Sequence, residues 1–128
     1  MRGRTRRGRA WASSFEVAVE VFRLTAGVDE GRTNGFVARM RQTALRAPTL
    51  VSRAAARTGN LARRQDLDAA AEALAVVDWQ LQMCVALSYA EPGEARRLGL
   101  RAEAARRWIR RLSDRLAPAA PVASGASG

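Results

Sequence analysis

The sequence predicts an all-α protein, an antiparallel up-down-up-down four-helix bundle. Three observations carry that expectation. The apolar residues are mostly Ala, Leu and Val with a single Ile, and the four prolines are confined to Pro48, Pro92, Pro118 and Pro121, a composition that favours helix over strand. Apolar residues recur at spacings of three and four through four stretches of similar length, the period of a helix with one buried stripe. The connections between those stretches are short, which makes consecutive helices antiparallel neighbours. At 128 residues the chain forms one domain. Its expected organisation is a flexible basic arm over 1–10, the bundle over 11–116 and a disordered tail over 117–128.

Helix 1 is expected over roughly residues 13–28, opened by a capping box of Ser13 with Glu16, with a start nearer Ala10 as the alternative. Phe15, Val19, Phe22 and Ala26 form one stripe, and Val17, Val21, Leu24 and Val28 another, on nearly opposite sides of the helix wheel. Helix 2 runs from an Asn34 cap to Thr58, with Gly59 as its stop and Val37, Met40, Ala44, Ala47, Val51 and Ala54 as its seam. Pro48 removes a backbone donor inside it, so a kink is expected near 44–48.

Helix 3 begins near Asn60 and ends near Tyr89, with a seam of Leu67, Ala70, Leu74, Val77, Leu81 and Cys84. Val76, Trp79, Met83 and Ala86 make a second stripe, so Trp79 is expected to point away from its own core. Helix 4 opens at Pro92 and buries Leu98, Ala102, Ala105, Ile109, Leu112 and Leu116. Helices 1 and 3 are diagonal in such a bundle, and their surplus apolar faces point outward in opposite directions. Two different outward patches make a head-to-tail interface, which closes into a ring. The residues expected in that interface are Val17, Val21, Leu24, Val76, Trp79 and Met83.

Charge is dealt out in blocks. Five arginines occupy residues 1–10 with no acid, eight occupy 31–65 with no acid, and six acids occupy 66–95 with no base. The net charge is +10 and every cation is arginine, a planar, forked donor suited to phosphate and carboxylate. Arg39, Arg46, Arg53 and Arg57 align on one side of helix 2, and Arg96, Arg107, Arg110 and Arg111 lie opposite the seam of helix 4. Both rows are expected to be exposed and to bind a polyanion through its backbone, since few aromatics are interleaved for base stacking.

Histidine is absent, which removes Ser-His and Cys-His pairs and the Glu-x-x-His ligands of di-iron bundles. Glu16 with Glu20, and Asp68 with Glu72, place carboxylates at i, i+4; pairing with arginines of helices 2 and 4 is favoured over metal or acid/base work. No catalysis, metal or cofactor is expected. The lone Cys84 sits in the apolar seam and reads as a buried small hydrophobe, which fits a cytoplasmic protein. No window reaches the roughly 20 apolar residues of a membrane span. The basic start, with Arg6-Arg7, is similar to the head of an export signal, but Glu16 and Glu20 interrupt the apolar run such a signal needs.

Three stretches resemble the four-helix-bundle family named for 23S rRNA intervening sequences. Val21-Phe22-Arg23-Leu24-Thr25 is similar to the family's apolar residue, aromatic and Leu-Thr. Met40-Arg41-Gln42-Thr43-Ala44-Leu45-Arg46-Ala47-Pro48 resembles its run of Ile-Arg-Arg-Ala-Ala followed by proline. Between Ala70 and Tyr89, the residues Leu74, Val77, Asp78, Leu81 and Leu87-Ser88-Tyr89 fall on the family's Leu, Leu, Glu, Leu and Leu-Gly-Tyr. The likeness spans roughly 11–116. After Pro48 the family's Ser-Asn-Ile-Ala-Glu-Gly is replaced by Thr49-Leu50-Val51-Ser52-Arg53-Ala54, so the acid's role does not carry over. The resemblance implies a non-enzymatic bundle and a homopentameric ring. It also implies kinship of fold with the accessory variability determinant proteins of diversity-generating retroelements, which bind a reverse transcriptase and nucleic acid. The leading expectation is a ring that binds RNA or DNA; the alternative is a protein-interaction scaffold or a reverse-transcriptase accessory subunit.

Overall fold

The computed structural model describes residues 5–118. Its elements are α1 (Arg6–Leu24), a 3-10 turn (Glu30–Arg32), α2 (Phe36–Ala56), α3 (Asn60–Ala86) and α4 (Pro92–Arg115), with no strand among the described residues. The helices pack in cyclic order, α1 on α2, α2 on α3, α3 on α4 and α4 on α1. Cross-helix contacts fit antiparallel neighbours at every step: Arg41 donates to Thr25 at the end of α1, Met40 touches Cys84, Asp68 accepts from Ser113, and the Arg9 guanidinium lies over the Trp108 ring. The chain is therefore an all-α four-helix bundle.

The seams expected for α2 and α3 are the buried ones, and α4 buries Leu98, Ala102, Ala105 and Ile109 with Leu112 and Leu116 packed at the margin. Much of this core is alanine, which lets the helices approach closely and leaves space for few large side chains. Cys84 donates to the Met40 sulfur at 3.6 Å, and burial pushes its thiol above the usual range.

Besides ending at Leu24 rather than near residue 28, α1 departs from expectation in two ways. It begins at Arg6, where the Thr5 hydroxyl accepts from the Gly8 N–H at 2.8 Å. Ser13 is no cap: it sits inside the helix and donates to the Arg9 carbonyl at 2.6 Å. Residues 6–10 of the expected flexible arm are thus helical, because Ala10 is fully buried in the core and its packing extends the helix. The remainder of the arm (1–4), and the tail from 119, lie outside the described residues.

The second departure concerns which stripe faces inward. Val17 and Val21, expected on an oligomer face, are fully buried, and Leu24 packs against the same core. The outward apolar residues of α1 are Trp11, Phe15 and Phe22, with Trp11 stacked on Phe15 at 5.0 Å between centroids. Valine fits opposite the alanines of α2 where phenylalanine would force the helices apart. Phe22 lies under the Arg41 guanidinium at 5.2 Å. That same guanidinium donates to the Thr25 hydroxyl at 2.9 Å, the Thr25 carbonyl at 3.0 Å and Glu30 at 2.8 Å. Arg41 thus ties the end of α1 and the 3-10 turn to α2.

The helix ends follow local chemistry. Asn34 and Gly35 both take positive φ (54° and 82°), so Gly35 rather than Asn34 precedes α2. α2 runs unbroken through Pro48 and ends at Ala56, and Gly59, at φ 92°, opens α3 rather than closing α2. α3 closes with a left-handed residue, Ser88 at φ 62°: the Tyr89 N–H reaches the Cys84 carbonyl at 2.7 Å and the Ser88 N–H the Val85 carbonyl at 3.1 Å, the Schellman pattern that favours glycine at this position. Ser88→Gly is expected to raise stability by about 0.5–1 kcal/mol, read as a higher denaturation midpoint at unchanged slope. A neutral or destabilising result would show that the left-handed serine is not strained.

Candidate nucleic-acid interface

The antiparallel register converts charge blocks along the chain into a charge gradient along the bundle. The cross-helix pairs place the bundle's midpoint near residues 15, 48, 73 and 104. One half, residues 5–15, 49–73 and 105–118, holds twelve arginines against Asp66, Asp68, Glu72 and Asp114; the other, residues 16–48 and 74–104, holds eight arginines and eight acids. All of the excess positive charge among the described residues therefore sits in the half where α1 and α3 begin and α2 and α4 end. Arg53 and Arg115 lie in the last turns of α2 and α4, where a cation meets the negative end of the helix dipole.

The two expected arginine rows are exposed but divided by this gradient. Arg39, Arg46 and Arg96 lie in the neutral half. Arg53 and Arg57 lie in the basic half and converge on Asp66: Arg53 Nη2 stands 3.2 Å from Oδ1 and Arg57 Nε 2.9 Å from Oδ2. Asp66 is buried while both arginine heads stay about half exposed. Arg107 reaches Glu103 at 3.9 Å, and Arg110 lines a cleft with Asp68, Glu72 and Asp114. Arg111 lies over the Trp108 ring at 5.2 Å, the ring that Arg9 also covers at 5.0 Å.

Among the described residues none of the four carboxylates of the i, i+4 pairs forms an ion pair with an arginine of α2 or α4, and Asp68 accepts from Ser113 instead. Glu20 takes its ion pair from Arg23 of its own helix at 2.8 Å and lines a cleft with Arg97 and Arg101 of α4, while Glu72 and Asp68 share a cleft with Arg106 and Arg110. Glu91 caps α4 by accepting from the Gly93 and Glu94 amides, which hold its carboxyl below the usual range. Among the described residues no group of His, Cys, Asp or Glu could hold a metal ion, and no helix is long and apolar enough to cross a membrane.

Seven arginines that the sequence rows omitted also belong to the basic half: Arg6, Arg7, Arg9, Arg63, Arg64, Arg106 and Arg115. The signal for Arg115 was present, since it follows Arg111 by four residues, one turn along the same side of the helix. Trp79 and Met83 are exposed on α3 as their stripe required, and Val76 is partly buried. No protein-family model and no curated protein matches the chain.

The Arg57 hydrogen bond, helped by Arg53 and opposed by burial, holds the Asp66 carboxyl below the usual range. A carboxylate whose folded pKa is depressed contributes stability above its unfolded pKa, about 3.9, and loses it as pH falls through the folded value. Asp66→Asn is therefore expected to cost about 1–2 kcal/mol at neutral pH and to flatten the loss of stability between about pH 5 and acid. Urea melts at stepped pH measure it; parallel profiles for the two proteins would remove Asp66 from the acid transition.

Proposed function

We propose that the chain is a non-catalytic, self-associating bundle that binds the phosphate backbone of RNA or DNA through its arginines, and that it is a cytoplasmic relative of the 23S rRNA-intervening sequence family. The observation that carries the binding reading is that, among the described residues, all excess charge is concentrated in one half, twelve arginines against four acids. A polyanion approaching that end meets a net positive field, and the forked guanidiniums match phosphate oxygens. Arg9 and Arg111, laid on Trp108, lose less freedom on binding than unrestrained side chains do. Backbone contact is favoured over readout of base sequence, since in the basic half Trp108 is already covered by Arg9 and Arg111 and Trp11 is stacked on Phe15.

Self-association rests on those exposed aromatics. Trp11, Phe15 and Phe22 on α1, and Trp79 with Met83 on α3, belong to diagonal helices and form two different outward patches. Two such patches pair head to tail, and a ring, pentameric by resemblance, is the closed form. The same exposed aromatics favour a second reading, a scaffold or accessory subunit that engages a protein such as a reverse transcriptase.

Fluorescence anisotropy with labelled RNA and DNA at stepped salt, and sedimentation of the same samples, test both parts. Binding that weakens linearly in log salt, with similar affinity across sequences, supports the polyanion reading. Absence of salt-dependent binding at about 0.1 M, where the Debye length is near 10 Å, hands the arginines to protein partners. An assembly larger than a monomer that Trp79→Glu shrinks without unfolding supports the ring; a monomer at micromolar concentration ends it.

A further inference from the structure

At the basic end the four helices leave a hollow of about 150 Å³. Its walls are aliphatic: Val51 of α2, Leu67 of α3, and Leu112 and Leu116 of α4. The hollow exists because the last turn of α2 carries Ala54 and Ala55, whose methyl groups leave the space between the helix ends unfilled. Val51 and Leu67 are almost wholly buried, so its deepest surface belongs to the core itself.

Three arginines line it from three helices, Arg7 of α1, Arg63 of α3 and Arg115 of α4, and no acid lines it. Arg63 is fixed by a bond from its Nε to the Arg57 carbonyl at 2.9 Å, which uses one of five guanidinium donors and sets the direction of the rest. An apolar hollow with a few convergent polar groups is the usual form of a small-molecule site. Like charges gathered there repel one another, and an anion placed among them converts that repulsion into attraction. A nucleic-acid backbone answers the arginines but leaves the aliphatic floor without an occupant.

We infer that this hollow is a binding site for an amphipathic anion, a carboxylate or phosphate monoester whose short aliphatic tail enters the bundle end while its head meets Arg7, Arg63 and Arg115. An apolar space of roughly 150 Å³ accommodates about six carbons, which sets the tail length for this half-open hollow. The site does not depend on nucleic-acid binding, because its floor recognises what a polynucleotide lacks.

Methyl-resolved NMR titration of the full chain with hexanoate, hexyl phosphate, hexanol, acetate and inorganic phosphate tests it. Hexanoate or hexyl phosphate is expected to shift the Val51, Leu67 and Leu112 methyls saturably, and whichever binds tighter names the head group. Hexanol is expected to bind at least tenfold more weakly, and acetate and inorganic phosphate to leave those methyls unmoved. Combining Arg7→Gln with Arg115→Gln should weaken the better ligand roughly tenfold or more, since removing one bond to a charged group costs about one decade of affinity. Ala55→Phe should fill the hollow and block binding; if it disturbs folding, the arginine pair alone decides. Hexanol binding as tightly as hexanoate and hexyl phosphate, or shifts confined to other methyls, would overturn the assignment.

Discussion

Changing Arg107, Arg110 and Arg111 together to glutamine is expected to lower affinity for a short DNA duplex by roughly 10²–10³-fold near 0.1 M salt. Changing Arg39, Arg46 and Arg96 removes the same charge from the same protein and is expected to cost less than about tenfold. The difference follows from where the fold puts each trio. The first lies in the half with twelve arginines and four acids, the second in the half where arginines and acids balance. Every phosphate that goes unneutralised also takes about 0.9 off the slope of log affinity against log salt, so the first trio should flatten that slope by nearly three and the second should barely change it. Equal losses from the two trios would mean that net charge alone governs binding and that the axial gradient has no role.

Leu74→Ala is expected to destabilise the bundle by about 3–5 kcal/mol, the upper part of the range for a buried leucine, and to lower the thermal midpoint by roughly 10–20 °C. Leu74 is wholly buried in the middle of α3, at the centre of a core dominated by Ala44, Ala47, Ala70, Ala102 and Ala105. Alanine has no rotamer with which to move into a void, so the hole left by the isobutyl group stays open. Leu100→Ala, at a position 65% exposed, is the matched control and should cost under about 0.5 kcal/mol. A Leu74→Ala loss near 1 kcal/mol would show that the helices close over the void by shifting together.

The seam of α2 and most of that of α4 are legible in the sequence because one face of each is apolar and the other is charged, and α3, despite its second stripe of Val76, Trp79 and Met83, keeps its longer seam over 67–84 inside. α2 and α4 have one solution each: in α2, Met40, Ala44 and Ala47 turn inward and Arg39, Arg46 and Arg53 outward. α1 has two apolar faces, and periodicity cannot rank them. The choice falls to the partner surface, where small alanines admit Val17 and Val21 but not Phe15 and Phe22. Its start is equally a tertiary matter. Ser13 followed by Glu16 satisfies the local rule for a cap, yet burial of Ala10 draws the helix back to Thr5.

The charge blocks are plain in the sequence, but their consequence is not. Read by helix, they suggest acidic faces against basic ones with the surplus spread along two rows. Folding the chain back on itself three times instead brings the start of α1, the ends of α2 and α4 and the start of α3 to one end, and arginines far apart in sequence accumulate there. Four amphipathic helices, their order and the sign of each block can be read from the chain alone, because helix period and composition are local properties. Packing settles which face of α1 is core, which arginines Asp66 holds, and that the surplus charge gathers at one end. Each of those depends on the distance between residues that the chain separates and the bundle joins.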